Sequence, residues 1–431
     1  MLKRLFAIIL LVVMAAFLVS GCDPSTAPGG EQDGNGEPAG EGEEIVIGTL
    51  YPHSGARAML GEESWRGAEL ARQKWNEKGG INGKQIVFVN ADIPDTGAAT
   101  AEAERLISKE GLTVLVGSYA SDLATAASEV TERYGVIYFE MGGIADGITE
   151  RGFKWLFRSC PRASSFGIMG MQAAAELAPK ALGKDVSELK VAVVFEDGPY
   201  GSAVGDYAKA EAERLGMQVV AFEPYSSDAA DLSSLIERLK AAEPDVMSIT
   251  SYLTDSILFA EQARELNFNV PMFIGNGGGH SMQDLADAIG DDIVGMMNAD
   301  FTQFDVNFEY TPGLDEFLER YKNEYGGPPR SGHSLMNYYG ALLLFEAIEN
   351  AGGSLEPADV REGILALDIP EFSTATGLGA DFNTETNDNA RAWPTVMQWR
   401  KVDGEYKQLA VFPEELAVTE AELPMPPWGE R

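Results

Sequence analysis

Short apolar runs alternate with longer segments whose apolar residues recur every three or four positions, from Ile45 almost to the end of the chain. The first predict strands and the second amphipathic helices. Strand Ile45–Leu50 leads to helix Glu62–Lys78. Gly79-Gly80 and Asn82-Gly83 then turn the chain into strand Gln85–Asn90. Helix Ala98–Lys109, strand Thr113–Val116, helix Asp122–Tyr134 and strand Val136–Phe139 follow. A second run opens near Pro161: helix Ser164–Leu177, strand Lys190–Phe195, helix Gly201–Leu215, strand Gln218–Phe222 and helix Asp231–Ala242. It continues through strand Val246–Thr250, helix Asp255–Leu266, strand Pro271–Ile274, a short helix over Gln283–Ile289 and strand Val294–Asn298. The remainder predicts helices Leu314–Tyr325, Ser334–Ala351 and Pro357–Leu365. An antiparallel pair, Pro394–Lys401 and Tyr406–Val411, turns at Asp403-Gly404.

Strict alternation of strand and helix implies α/β lobes, each a parallel sheet with helices on both faces. Two runs imply two lobes: 45–159 with 303–393, and 160–302 with 394–418, leaving 419–431 as a tail. A chain that crosses between lobes more than once makes a hinge, and the hinge makes a closing cleft.

The first 44 residues follow other rules. Lys3 and Arg4 precede the apolar run Leu5–Val19, and Ser20-Gly21-Cys22 follows it. A basic start, an apolar stretch of about fifteen residues and small residues at the break read as an export signal, too short for a comfortable membrane span. Val19-Ser20-Gly21-Cys22 resembles a bacterial lipobox, which implies a signal peptide over 1–22 and lipidation of Cys22. Residues 23–44 are Pro, Gly, Ser, Glu and Asp with almost no apolar side chains, a composition that gives a flexible acidic tether. Anchor, tether and globular body place the working part outside the cytoplasmic membrane.

Charge narrows the partners. With 32 Lys+Arg against 67 Asp+Glu the formal charge is −35, which excludes nucleic acid and docking on anionic lipid through a basic patch. Two cysteines, Cys22 and Cys160, cannot form a disulfide framework, and three histidines leave little scope for metal or base chemistry. His280 and His333 stand alone and suit surface or capping positions. Asp291-Asp292 and the Asp381–Asp388 stretch miss EF-hand spacing. No G-x-S-x-G, G-x-x-x-x-G-K-[ST] or H-E-x-x-H occurs, so an enzyme, a metal and a cofactor are not expected.

In open α/β sheets ligands sit beyond the carboxyl ends of strands. There the sequence places Tyr51-Pro52-His53-Ser54-Gly55, then Gly117–Asp122 running into a helix, then Glu140-Met141-Gly142-Gly143. The second run places Glu196–Gly201 with Tyr200, Ser251-Tyr252, and Gly275–His280 with Asn276. A Ser at a helix start suits an anion cradle or an ordinary cap. Each tyrosine suits a ligand contact or a packing position.

The stretches IVIGTLYPHSG, GAELARQKWNEKGGINGK, LVGSYAS and VIYFEMGGIADGITERGFKWLFRS, with VAVVFEDGPYG, SSLIERLKAAEPDVMSITSY and FIGNGG, resemble the leucine/isoleucine/valine-binding protein family. These are amino-acid receptors of ABC transporters with the class I periplasmic fold. The resemblance implies a solute receptor, not an enzyme: a monomer that takes an amino-acid-like or related polar solute between its lobes and delivers it to an ABC permease. A sensor that passes closure to a signalling partner, or a receptor for an amide or small carboxylate, are the alternatives. Carried over residue by residue, it implies that Ser121 and Asp122 hold the solute's carboxylate, with backbone at Met141, Gly142, Gly143 and Ile144. Arg57–Leu60 border the side-chain pocket, and Tyr200 and Tyr252 close over the solute. The sequence departs from the family at three points. Asn276-Gly277-Gly278 stands where an acid pairs with the solute's ammonium, the hydroxyl after the fourth strand is replaced by Gly143 or Ile144, and Cys160 has no partner for the small disulfide of some relatives. Glu140 is a candidate replacement acid, or else a partner for Arg158 or Arg151.

Overall fold

Residues 44–431 are described by the computed structural model; the export leader, Cys22 and all of the tether but Glu44 lie outside the described residues. The first run forms strands β1 (Ile45–Tyr51), β2 (Ile86–Asp92), β3 (Val114–Gly117), β4 (Ile137–Glu140) and β5 (Leu156–Arg158). Helices α1 (Ala58–Glu77), α2 (Thr96–Ser108) and α3 (Ser121–Tyr134) connect the first four. The sheet order is β2-β1-β3-β4-β5 with every pairing parallel. Strands β3 and β4 inside the sheet are buried on both faces, which is why Val114–Val116 and Ile137–Phe139 read as unbroken apolar runs. Local chemistry agrees with the sheet: Asp95 caps α2 by accepting the Ala98 N–H at 2.8 Å, and Gly135 closes α3 in the left-handed conformation.

The second run begins with α4 (Ala163–Leu182). It continues as β6 (Lys190–Glu196), α5 (Pro199–Arg214), β7 (Gln218–Tyr225), α6 (Ser233–Ala242), β8 (Val246–Thr250) and α7 (Leu253–Glu265). Then come β9 (Met272–Asn276), α8 (Gln283–Ile289) and β10 (Met297–Asp300). Helices α9 (Leu314–Tyr325), α10 (Gly332–Asn350) and α11 (Pro357–Leu365) lead to a small pair, β11 (Asp368–Ile369) and β12 (Ala380–Asp381). The hairpin β13 (Thr395–Val402) and β14 (Glu405–Phe412) joins the second sheet, giving the order β14-β13-β10-β9-β8-β6-β7. β13 runs antiparallel to β10, so this sheet is mixed where the first is parallel.

The chain thus leaves the first sheet after β5 and builds most of the second. It then returns through α9–α11 to pack on α1 and the first sheet, and crosses again into β13. α10 is buried on nearly all sides, consistent with an apolar sequence that lacks a polar face. A Cβ on Gly67 of α1 would collide with the Ser334 carbonyl of α10, so glycine sets the closeness of that crossing. Residues 419–431, expected as a tail, run over the second sheet. There Met425 is buried and donates its N–H to Pro271 O at 2.7 Å, and Trp428 Nε1 donates to Phe268 O at 2.6 Å.

One strand is displaced from its expected position. Gly295 has φ +90°, which a strand does not allow, and its carbonyl accepts Gln398 Nε2 at 2.9 Å. The strand therefore starts at Met297 and its last residue is Asp300, which the expected span Val294–Asn298 left in a loop.

Candidate functional site

The carboxyl ends of β3 and β4 are tied together by a carboxylate. Glu140, wholly buried, accepts the Ser118 N–H at 2.7 Å and the Tyr138 hydroxyl at 2.9 Å through one oxygen. Its other oxygen accepts the N–H groups of Met141, Gly142 and Gly143 at 3.1, 2.8 and 2.6 Å. Burial pushes its pKa up to about 6, and the Gly143, Gly142 and Ser118 amides and the Tyr138 hydroxyl pull it back. Five donors fill the carboxylate, and it does not line the cavity between the sheets. This corrects both expectations for Glu140. Arg158 pairs with Asp388 at 2.7 Å and Arg151 with Glu129 at 3.5 Å, while Glu140 holds neutral donors that clamp the loop after β3 to the loop after β4.

The clamp shapes what those loops present. Gly142 sits so close to the β3 loop that a Cβ would stand 2.8 Å from Tyr119 Cα. The amides of Met141, Gly142 and Gly143, expected to face a ligand, are committed to Glu140. Ile144 follows; its carbonyl accepts Arg158 Nη1 at 2.8 Å, and its N–H has no acceptor among the described residues. Ser121, the first helical residue of α3, is 2% exposed; its Oγ accepts the Ala145 N–H at 3.1 Å, leaving the hydroxyl hydrogen for the cavity that it lines. The first amides of α3 lack intrahelical acceptors and carry the positive end of the helix dipole.

Gly142, Ile144, Ser121 and Tyr119 form one wall of a cavity. Tyr200, Tyr252, Gly277, Gly278, Asp300 and Phe301 come from the strand ends of the second sheet and face them, with Phe166 of α4 and His333 of α10 completing the lining. Tyr200 and Tyr252 pack at 5.4 Å between ring centroids, and Phe166 meets Phe301 edge-on at 5.6 Å. The Tyr200 hydroxyl donates to the Asn276 carbonyl.

Asp300 is 1% exposed. Its Oδ1 accepts the Phe301 N–H at 2.6 Å, and its Oδ2 has no partner. Burial pushes its pKa up to about 7, against the pull of Ser281, the Phe301 amide and Asn298. His333, expected at the surface or as a cap, is instead buried at the start of α10. Its Nδ1 lies 2.8 Å from Ser331 Oγ, and burial pushes its pKa down to about 3, so it is a neutral imidazole. His280 is buried as well, with Nε2 2.7 Å from Ser251 Oγ.

Of the expected site residues, Ser121, Gly142, Ile144, Tyr200 and Tyr252 meet at the cavity. Asp122 is not in the lining; it accepts Arg57 Nη1 at 2.6 Å, and Arg57 in turn covers the Tyr252 ring at 5.4 Å and so links the two sheets. Leu60, Met141, Gly143 and Asn276 do not line the cavity. Leu60 packs with Leu50 and Ile93, and Met141 faces Gly340 of α10. Asn276 donates to Ser248 Oγ at 2.9 Å and joins neighbouring strand ends. The acidic stretches are engaged in ion pairs: Asp291 with Lys401 at 2.6 Å and Asp292 with Arg264 at 2.7 Å. Cys160 is a buried free thiol, and no helix among the described residues is long and apolar enough to cross a membrane.

Sequence reasoning missed Asp300, Phe301, Phe166 and His333. Asp300 had a signal, an acid closing the run Met296-Met297-Asn298-Ala299, but the misplaced strand hid it.

A family model described as periplasmic binding protein matches residues 44–403. The "Leu/Ile/Val-binding protein homolog 8" of Brucella abortus (strain 2308) is 44% identical over 376 residues, covering 87% of this chain and 92% of that protein. The substrate-binding protein LivJ of Streptococcus pneumoniae, solved with isoleucine, superposes with a TM-score of 0.72 at 21% identity, covering 86% of this chain and all of that one. A solute-binding protein of Rhodopseudomonas palustris BisB5, solved with 3,4-dihydroxybenzoic acid, gives 0.70 at 23% identity, with 90% and 99% covered. The solved structures fix the fold as that of class I periplasmic binding proteins, and the family's members are extracytoplasmic binding proteins rather than enzymes. The chain belongs to the periplasmic binding protein family, in the branch that includes the Leu/Ile/Val-binding protein homologs.

Proposed function

We propose that this protein is the solute receptor of an ABC importer, anchored through lipid on Cys22 and tethered by residues 23–44. It captures a small amino-acid-like or related polar solute between a lobe of 45–159 with 303–393 and a lobe of 160–302 with 394–418. The observation that carries this reading is the cavity at the strand ends of both sheets. One wall offers donors at Ser121 and Ile144, and the other offers Tyr200 and Tyr252. A solute touching both walls binds the closed form better than the open one, and that difference drives closure. The permease reads the closed surface. Uptake by cells lacking the chromosomal copy tests the coupling: wild type restores solute uptake and a Tyr200→Ala, Tyr252→Ala double variant does not. Restoration by the double variant refutes the reading.

The anchor has its own test. Mass spectrometry of the mature protein should show an acylated Cys22 at the N-terminus, and an intact Met1 terminus refutes it. The aromatic lining by Tyr119, Phe166, Tyr200, Tyr252 and Phe301 favours a second reading of the solute, an aromatic carboxylate, the class bound by the Rhodopseudomonas neighbour.

A further inference from the structure

We propose that Arg158 is a positioning residue for solute binding. By gripping the loop after β4 it aims two hydrogen-bond donors of the first wall, the Ile144 N–H and the Ser121 hydroxyl, at an anionic end of the solute. This rests on the solute-receptor reading and gives a role in it to a side chain outside the cavity lining.

Arg158 is the last residue of β5 and is wholly buried. Its Nη1 donates to three successive carbonyls, those of Gly143, Ile144 and Ala145, at 3.3, 2.8 and 2.8 Å. Nε donates to Asp388 Oδ1 at 2.7 Å, and Nη2 donates to Thr149 Oγ1 at 3.0 Å. A buried guanidinium is costly unless its charge is paired and its N–H groups are met. Asp388 supplies the countercharge and already fixes the side chain. What the three carbonyl contacts fix is the loop.

The peptides of this loop are trans, and a trans peptide unit points its C=O and its N–H to opposite sides. Holding the Gly143 and Ile144 carbonyls on the Arg158 side therefore turns the Ile144 and Ala145 N–H groups to the other. The Ala145 N–H meets Ser121 Oγ at 3.1 Å, which occupies a lone pair of that hydroxyl and leaves its hydrogen for the cavity. The Ile144 N–H has no acceptor among the described residues, and Ile144 lines the cavity. Both donors thus trace to one side chain. The Ile144 carbonyl also accepts the Ala163 N–H at 2.7 Å, but the Gly143 carbonyl otherwise meets only the Cys160 thiol, at 4.0 Å, among the described residues. The aim of the Ile144 N–H accordingly depends most on Arg158. Two donors converging on one cavity suit a carboxylate, which accepts on both oxygens. The grip also reaches the opposite side of the cavity. Asp388 Oδ2 accepts Arg162 Nη1 at 3.4 Å, and Arg162 immediately precedes α4, the helix that carries Phe166. Lysine cannot reproduce this arrangement, because an ammonium places its donors on one atom and does not span the carbonyls, Asp388 and Thr149 together.

The test compares acids with their amides on the full chain by titration calorimetry. The probes are the common L-amino acids, 4-aminobutyrate and 3,4-dihydroxybenzoate, each beside its carboxamide, which keeps the body of the probe and removes the negative charge. Wild type should bind at least one acid about a hundredfold more tightly than its amide. Arg158→Lys keeps a countercharge for Asp388 but releases the carbonyls. It should weaken binding of that acid about thirtyfold and of the amide less than about threefold. Equal losses for acid and amide mean that Arg158 serves the fold alone and overturn the proposal, as does unchanged binding of the acid. Should Arg158→Lys fail to fold, Asp388→Asn decides, since it loosens Arg158 at Nε and touches neither donor. A loss of about fivefold for the acid with the amide unchanged then supports the proposal, and an equal loss or none overturns it. A wild type that prefers no acid to its amide, or binds no probe, also overturns the positioning role. The receptor reading is then judged by cell uptake, which does not depend on the solute's charge.

Discussion

The sharpest consequence of Asp300 is a pH dependence of binding with a definite sign. Burial raises its carboxyl to about 7, against an ordinary value of 3.8. The ammonium of an amino-acid-like solute requires the carboxylate and draws the pKa back down. Affinity then scales with the fraction ionised before binding: about nine-tenths at pH 8, half at pH 7 and one hundredth at pH 5. Between pH 8 and 5 the affinity of an ammonium-bearing solute should fall by roughly 90-fold, or about 2.7 kcal/mol. Calorimetry at pH 6 in buffers of different ionisation enthalpy should show close to one proton released per solute. Neighbouring groups do not mimic the effect. Tyr200 is pushed well above its ordinary range by burial and stays neutral, and His333 at about 3 is neutral throughout. Asp255 also sits at about 7, but it accepts the Tyr225 hydroxyl away from the lining, so Asp255→Asn should leave the slope intact while Asp300→Asn flattens it. An affinity that stays flat refutes the reasoning. One that rises toward pH 5 would mean that Asp300 acts as a protonated donor to an acid. The same sign applies to the empty protein. A carboxyl whose folded pKa is raised leaves the folded state unpenalised below about 4, and charging it as pH rises through 7 costs stability on the order of 4 kcal/mol.

Other substitutions separate positioning from binding. Ser121→Ala removes one hydroxyl from the cavity and leaves the Ala145 N–H unmet, so affinity should drop about tenfold with about 1 kcal/mol of lost stability, read by titration and urea unfolding. Glu140→Gln places an NH₂ against backbone donors and should lower stability by about 2–3 kcal/mol; its effect on affinity should be equal for ammonium-bearing and deaminated probes, and a loss confined to the former would return Glu140 to the site. Arg57→Ala removes the contact over Tyr252 and should weaken binding about fivefold, mainly through faster dissociation in stopped-flow traces.

The sheets were legible because buried parallel strands leave unbroken apolar runs, and five cavity residues followed from the rule that ligands sit at strand carboxyl ends. Ser121, Gly142, Ile144, Tyr200 and Tyr252 all lie in such loops. His333 was not legible, since the start of α10 reaches the cavity through tertiary packing against Tyr119 and Phe301, which no local pattern encodes. Phe166 was missed for a similar reason, as a helix face rather than a loop. Glu140 was noticed as an unusual acid, but a carboxylate that meets backbone amides of its own loop looks in sequence like one awaiting a ligand. Asp300 turned on the conformation of a single glycine, Gly295, which moved the strand end by two residues.

The Glu140 clamp divides the receptor into a fixed half and an adjustable half. Because one carboxylate holds the loops after β3 and β4, a substitution at Gly142 or Gly143 strains a shared bracket and should disturb every solute alike. Asp300 and Phe301, at the end of β10, and Tyr252, after β8, stand outside that bracket on two strand ends of the second sheet. Redesign of the protein as a biosensor should therefore leave the first lobe untouched and draw its library from the second, where recognition can be rewritten one residue at a time.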